Sequence, residues 1–371
     1  MEYHTAPKKM TIAVDAMSGV NAPVSVVKAI KYASDKHQDI HFLVHGDAKI
    51  VMELLKKFKV AESQYTISNT NSVILDTDKA TEALKNKKDS SMRSTIDSVL
   101  SKNATACISS GNTGALMLTS RMILGSITEV KRPAIAGIFP TLGSIQGQSV
   151  LLDMGANIGC DEVALSQFAA MGVCFAKIVL GKPNPSVGIL NVGTEHTKGR
   201  ELEQKTYAIL AESIDNFIGY VEGHDVIRGK ADVIVTDGFS GNIFLKASEG
   251  VGKIFLNQMK NAISQNILTK LCGLILKPYL KKNLEFLDPK RHNGAMLIGI
   301  NGIVVKSHGS SDDIAFANAI DVAINLAKHD VNQKIFDEMT KLTTKNEFSA
   351  SDIIEKIKTT SAKIFGINKK E

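Results

Sequence analysis

Five segments of the chain put small polar and charged side chains directly behind an apolar run. They are SSGNTG at 109–114, DMGANIG at 153–159, NVGTEHTKG at 191–199, TDGFSGN at 236–242 and INGIVVKSHGSSD at 300–312. Glycine lets a backbone approach a ligand closely, and successive N–H groups in such a loop form a cradle for an anion. SSGNTG therefore reads as a phosphate or oxyanion loop feeding a helix that starts near Thr113, with Ser109, Gly111, Asn112, Thr113 and Gly114 as its working residues. The competing reading is an ordinary strand-to-helix turn in which Asn112 or Thr113 is only the N-cap. Lys88 and Lys198, each in a loop bearing serine or glycine, are the candidate cations for an anionic substrate, and Lys198 is preferred because TEHTKG directly ends a predicted buried strand. The alternative for either is a solvated surface charge. Asp15, Asp153 and Asp237 each end an apolar run; carboxylates repel phosphate, so these are expected to accept hydrogen bonds from loop amides or to position Lys198, Asn157 or Asn242. His308 is a candidate proton donor, against the plainer reading of a satisfied turn residue. Glu195, Ser240 and Asn301 complete the candidate set.

Named phosphate motifs are absent. EGVGKI at 249–254 has Ala247 where a P-loop needs glycine and Ile254 where it needs Ser or Thr for magnesium, and no GxGxxG follows a strand. His41 and His45, four apart on a predicted strand, stand about 13 Å from each other and cannot chelate one ion. No metal site and no organic cofactor are expected.

These loops need strands to hold them. TIAVDA (11–16), IHFLVHG (40–46), TACISS (105–110), AIAGIF (134–139), SVLLDMG (149–155), SVGILNVG (186–193), ADVIVTDG (231–238), AMLIGING (295–302) and IVVKSHG (303–309) read as buried strands, most followed by an amphipathic segment. That alternation predicts an α/β fold, doubly wound, with a largely parallel sheet covered by helices on both faces and ligands bound at the carboxyl ends of the strands. The expected organisation is one catalytic unit over 10–345, of two closely joined lobes, with an extension or tag at 1–9 and a helical tail at 346–371.

With 371 residues, 44% of them apolar, the chain can bury a large core. Its four cysteines form no CxxC pair and read as reduced thiols. Residues 1–9 lack the apolar core of a signal peptide and no apolar stretch approaches membrane-spanning length, so a soluble intracellular protein able to touch a surface is expected. A net charge of +6 carried mostly by lysine, with only 5% aromatics, points to acidic proteins, phosphate groups or anionic lipid and away from nucleic acid.

Several segments carry a family resemblance: DAM at 15–17 with AP at 22–23, KKDSSMR (87–93), SGNTGALM (110–117), RPAIAG (132–137), LDMGAN (152–157), KGRELEQKTYAIL (198–210), FIGYVEG (217–223), DGFSGNIFLKASEG (237–250) and INGIVVKSHGSSD (300–312). In order and combination, from about Met10 to about Ala323, they resemble the bacterial phosphate acyltransferases that open phospholipid synthesis, the PlsX family. The resemblance implies transfer of a long-chain acyl group from acyl carrier protein to inorganic phosphate, giving acyl phosphate for phosphatidic acid synthesis. It also implies a homodimer, a fold akin to isocitrate and isopropylmalate dehydrogenases and phosphotransacetylase, and a downstream glycerol-3-phosphate acyltransferase. The chain departs from the family pattern at Ser18 and Val20, where a glycine and an acid are usual, and at Asn293 and Met296, in place of a glycine and a proline.

Phosphate is already an anionic nucleophile and a thiolate an acceptable leaving group, so the site must mainly position phosphate and stabilise a tetrahedral oxyanion. His308 would protonate the thiolate or donate to phosphate. A separate feature is an acid-free run from Val251 to Leu284, within an expected amphipathic helical hairpin at 246–287. Leu268, Leu271, Ile275 and Leu276 form an apolar stripe, interrupted at Pro278 and flanked by Lys270, Lys277, Lys281 and Lys282. Such a hairpin can lie on an anionic membrane, at the inner face of the cytoplasmic membrane, or dock an acidic carrier protein; a helix packed into a dimer core is the other reading. The functional rivals are a phosphotransacetylase acting on a coenzyme A ester, a dehydrogenase of the related fold, disfavoured by only six scattered arginines, and a non-catalytic membrane or carrier-protein binding module.

Overall fold

The computed structural model describes residues 10–142, 147–284 and 291–345. The expected extension at 1–9, the tail at 346–371 and residues 285–287 of the hairpin lie outside the described residues.

Among the described residues, eleven strands form one sheet. From one edge to the other they run β3 (Tyr65–Asn69), β2 (Ile40–Gly46), β1 (Met10–Asp15), β4 (Ala106–Ser109), β11 (Ile303–Lys306), β10 (Ala295–Ile298), β5 (Ala134–Pro140), β6 (Gln148–Leu152), β9 (Val233–Val235), β7 (Val187–Leu190) and β8 (Phe217–Val221). The first five are mutually parallel, as are the last four. Between these blocks β10 pairs antiparallel with β11 and β5, and β5 antiparallel with β6. The two parallel blocks therefore run in opposite directions, and their carboxyl ends open on opposite edges of the sheet. Sequence reasoning had gathered all five glycine loops into one crevice; the antiparallel seam divides them into two sets.

β3 and β8, the outermost strands, were not among the predicted ones. YTISN and FIGYV sit half in solvent, with mixed burial, and so lack the continuous apolar run by which the inner strands were recognised.

One face of the sheet carries α1 (Val24–Lys36), α2 (Ala48–Lys57), α6 (Glu162–Val179), α7 (Glu201–Ser213), α11 (Asp313–Lys328) and α12 (Val331–Lys345) around the largest apolar cluster. The other face carries α3 (Ala80–Asn86), α4 (Ser91–Leu100) and α5 (Thr113–Leu124) over one block, and α8 (Gly223–Arg228) and α9 (Gly238–Ile263) over the other. Several helices begin at a side chain that accepts an orphan backbone N–H of the first turn: Asp47, Ser90, Asn112, Asp161, Asp237 and Asp312. By length and composition α6 is apolar enough to cross a membrane, which the sequence reading had denied to every segment; it is the core helix, with Phe168 and Phe175 fully buried against the sheet.

α9 continues past the sheet and folds back through α10 (Ile267–Leu284). Gly273 admits the close approach of Ile263, where a Cβ would lie 2.2 Å from its Cγ2. Contrary to the sequence expectation, Pro278 does not interrupt α10, which runs on to Leu284. Proline removes one backbone donor, and at an exposed position water can serve the freed carbonyl.

Candidate functional site

At the first edge, the carboxyl ends of β1, β4 and β11 lie side by side. Ala13, Cys107 and Val304 belong to one apolar cluster on one face. Two residues further along each strand, strand alternation brings Asp15, Ser109 and Lys306 to that same face. The register pairs Lys306 with Ser109 and Asp15 with His45, making a row of polar side chains across four adjacent strands. Ser109 Oγ donates to Asp15 Oδ2 at 2.6 Å and accepts the Gly111 N–H at 3.1 Å, while Asp15 Oδ1 accepts the Met17 N–H.

The three loops beyond these strands are locked through backbone. Ser110 Oγ donates to the Ser18 carbonyl, Val20 N–H to the Gly309 carbonyl at 2.8 Å, and Asn21 Nδ2 to the carbonyls of Ser310 and Ser311. Gly19, at φ +103°, leaves only 2.4 Å between a hypothetical Cβ and Ser110 Oγ. Here the loop of residues 16–23 works by shape: Val20, where the family pattern has an acid, is 73% exposed. The departure at Asn293 has a structural use. Its buried Nδ2 reaches Ser307 Oγ, Ser311 Oγ and the Ala315 carbonyl, while Oδ1 accepts the His308 N–H at 2.9 Å.

Asn112 caps α5, accepting the Ala115 N–H at 3.0 Å, and its Nδ2 donates to the carbonyls of Asp76 and Asp78. That amide is thereby committed to fastening the loop, whereas Thr113 and Gly114, in the first turn of α5, are exposed. A helix N-terminus of this kind presents N–H groups and positive potential to an anion. His308 Nδ1 accepts the Ser310 N–H at 3.2 Å and lies 2.9 Å from its hydroxyl. Accepting from a backbone N–H fixes the neutral tautomer with the proton on Nε2. Partial burial, then Lys246, lower its pKa; Lys306 and Lys253 act in the same sense and Glu249 opposes them.

Lys306 escaped the sequence reading, although it lies inside the quoted IVVKSHG. A lysine at the end of an apolar run looks like any strand terminus until the register sets it beside Ser109. Its Nζ donates to the Ser110 carbonyl at 3.4 Å and to the Ser307 carbonyl, while part of the side chain still reaches solvent. Burial pushes its pKa down to about 8, with Asp76 and Asp15 pulling upward and Lys246 downward.

The second edge is chemically different. Asp153, fully buried, accepts N–H groups from Ile135, Gly155, Ala156 and Asn157 and the Asn157 amide. Burial raises its pKa and these donors oppose the rise. Asn157 Nδ2 also donates to the Pro133 carbonyl, and its own carbonyl accepts the Gly238 N–H. Asp237 caps α9 through the Ser240 N–H and pairs with Arg200, which also grips Glu203. Asn242 packs against Gly155. Asp153 and Asn157 thus spend themselves on each other and on backbone, and Asp237 on backbone and Arg200. Glu195 and Lys198 stand exposed on the neighbouring loop after β7, where the Lys198 N–H donates to the Glu195 carbonyl.

Two candidates fall outside both sets. Lys88 is exposed beyond α3, and it is its neighbour Lys87 that ties Asp78 and the Val73 carbonyl. Asn301 donates to the Ser126 carbonyl beyond the far end of α5 from Asn112. His41 and His45 serve separate partners, Thr66 and Ser98.

α9 connects the edges. It begins at Asp237 on the second, packs Phe244 and Leu245 with Leu151 and Ile234, and brings Lys246 and Glu249 near His308 on the first. Beyond that point its partner helix α10 exposes Leu268 (71%), Leu271, Ile275 (70%) and Leu276, with Lys270 and Lys277 also exposed; Lys281 and Lys282 belong to its last turns.

Residues 10–334 match the family described as fatty acid synthesis protein. A phosphate acyltransferase of Ehrlichia ruminantium (strain Gardel) is 45% identical over 335 residues, covering 89% of this chain and 97% of that protein. One from Rhodospirillum centenum (strain ATCC 51521 / SW) is 42% identical over 345 residues, covering 92% and 96%. Among solved structures, a phosphotransacetylase from Streptococcus pyogenes superposes with a TM-score of 0.57 at 15% identity, covering 87% of this chain and 95% of that one. This likeness concerns the fold.

Proposed function

The chain belongs to the fatty acid synthesis protein family, as an acyltransferase, and from that membership we propose that it transfers a long-chain acyl group from acyl carrier protein to inorganic phosphate at the first edge of the sheet. The observation that carries this placement is the trio of interlocked loops after β1, β4 and β11, with the exposed first turn of α5 and the Nε2–H of His308 beside them. At the second edge Asp153 and Asn157 are engaged by each other and by backbone and Asp237 by Arg200, while Glu195 and Lys198 stand exposed on the loop after β7.

In this reaction a phosphate oxygen bonds to the thioester carbonyl carbon and the C–S bond breaks, the sulfur leaving with the electron pair. The proton that phosphate surrenders as the acyl phosphate dianion forms ends on the thiol, so no net proton is made or consumed. A strong base is unnecessary; what matters is holding the two reactants together and stabilising the oxyanion. The N–H groups of α5 suit the charge of phosphate or oxyanion, and the neutral His308 suits a donor to the same oxygens. The acid-free run from Val251 to Leu284, the outer part of α9 together with α10, supports a role in meeting an acidic carrier or an anionic membrane, as a homodimer working beside a glycerol-3-phosphate acyltransferase.

The test is to incubate purified protein with long-chain acyl carrier protein, with and without phosphate, and to measure free thiol and acyl phosphate. Thiol release that requires phosphate is expected. Equal release without phosphate would make the protein a thioesterase; a preference for coenzyme A esters would make it a phosphotransacetylase; no release at several chain lengths would leave a binding module.

A further inference from the structure

We infer that Lys306 is the cation that receives the acceptor phosphate, contacting one of its oxygens at the junction of β4 and β11. The inference rests on the proposed acyl transfer to phosphate and adds to it a substrate-contacting residue that neither glycine loops nor motif spacing disclosed.

An ammonium has three N–H donors. Lys306 directs donors to the carbonyls of Ser110 and Ser307, which fixes the head group and leaves it one N–H to offer. The two carbonyls belong to the loops that lead to the first turn of α5 and to His308, so that remaining donor is held among the groups assigned to phosphate and oxyanion. Among the described residues, no carboxylate comes within ion-pair distance of Lys306 Nζ. Asp15 is occupied by Ser109 and the Met17 N–H, and the exposed Asp76, with Oδ2 3.9 Å from where a Gly309 Cβ would stand, acts on Lys306 from beyond ion-pair distance. A lysine crowded by protein, still partly accessible and lacking an ion-pair partner is a poor structural device, because a desolvated charge costs stability unless compensated. An arriving phosphate dianion supplies the compensation. Lys88 and Lys198, the cations favoured by sequence, are exposed and have no such setting.

The charged and titratable groups facing Lys306 are Asp15 at the end of β1, Asp76 from the segment between β3 and α3, Lys246 from α9, and His308 two residues on. Only the ammonium form binds phosphate in this way. With its pKa depressed to about 8, the free enzyme loses that form as pH rises through the value. Bound dianion favours the ammonium, so the corresponding limb in the enzyme–substrate complex lies at higher pH.

The experiment compares wild type, Lys306→Met and Lys306→Arg by steady-state acyl phosphate formation over pH and phosphate concentration, and by phosphorus NMR line broadening of inorganic phosphate with the intact enzyme. For Lys306→Met, kcat/KM for phosphate should fall roughly 10- to 100-fold, as expected for a lost charge-assisted contact, with KM for acyl carrier protein changed less than about two-fold. Lys306→Arg should retain most activity and lose the alkaline limb of kcat/KM, since guanidinium does not titrate there. An unchanged phosphate dependence in Lys306→Met, or an arginine variant that keeps the limb, overturns the assignment; should the methionine variant unfold, the arginine pH profile decides. Phosphate broadening that depends on Lys306 in an enzyme without acyl transfer would sink the proposed reaction and keep the site. Transfer whose phosphate dependence is unchanged in Lys306→Met does the reverse.

Discussion

Replacing Asn112 by alanine separates a residue that shapes the site from one that acts on reacting atoms. The side chain makes three contacts: it accepts the Ala115 N–H as N-cap and donates to the carbonyls of Asp76 and Asp78. Loss of an N-cap costs about 1 kcal/mol, and two partly exposed hydrogen bonds add about 0.5 kcal/mol each, giving about 2 kcal/mol. For a chain of 371 residues, an unfolding entropy near 2.1 cal/mol/K per residue converts this to a fall in Tm of roughly 2 to 3 °C. Asn112→Ser keeps the cap and forfeits the two donors, so it should lose about half as much. Loosening the loop of residues 109–113 should lower turnover at saturating phosphate by roughly ten-fold in the alanine variant, with serine restoring much of it, because catalytic alignment is sensitive to displacements near 1 Å. Thermal melts and saturating-phosphate turnover on both variants make the check. An alanine variant with an unchanged melt but a loss approaching 1000-fold, the range of a deleted oxyanion donor, would refute the reasoning and put the amide on the reacting carbonyl.

Two further outcomes are expected. Ile275→Glu, at an exposed position on α10, should abolish co-sedimentation with anionic vesicles while leaving the melt and the oligomeric size unchanged; a lowered melt with altered size would mean that the stripe is buried between subunits. His45 is held neutral by burial, its pKa pushed down to about 4 from 6.5, so an unfolded chain takes up a proton that the folded one refuses; the associated stability is intact above about 6.5 and is lost as pH falls towards 4. Between pH 7 and 5 this amounts to about 2 kcal/mol, and His45→Gln should flatten the acid slope of urea-derived stability by that much, a slope identical to wild type counting against it.

The inner strands were readable because burial on both faces writes itself as an uninterrupted apolar run, as in TIAVDA and IHFLVHG. β3 and β8 were not, because edge strands need apolar residues on only part of their surface. SSGNTG was readable as a loop feeding a helix N-terminus, with the cap left open between Asn112 and Thr113; the structure gives it to Asn112. The polarity of the strands left no local trace, so nothing in the sequence separated Asp15 and His308 from Asp153 and Asp237, which the seam at β10 and β5 sends to opposite edges. Lys306 was hidden for a related reason: its meaning lies in its neighbour across the ladder, Ser109, which is remote in the chain.

The position of β10 and β11 also bears on how such a chain comes together as it is made. β4 acquires its outer neighbour, β11, and β5 acquires β10 only when residues 295–306 have emerged from the ribosome. Until then the amino-terminal block and the growing carboxyl-terminal block each expose an open ladder of buried-type residues, Ala106 to Ser109 on one side and Ala134 to Ala136 on the other. Open ladders invite pairing with other chains, and long-range closures of this kind are slow. A late hairpin that satisfies both edges at once makes the halves interdependent: neither block is a finished folding unit by itself, and interrupting synthesis before β11 should yield material that seeks foreign strands or a chaperone.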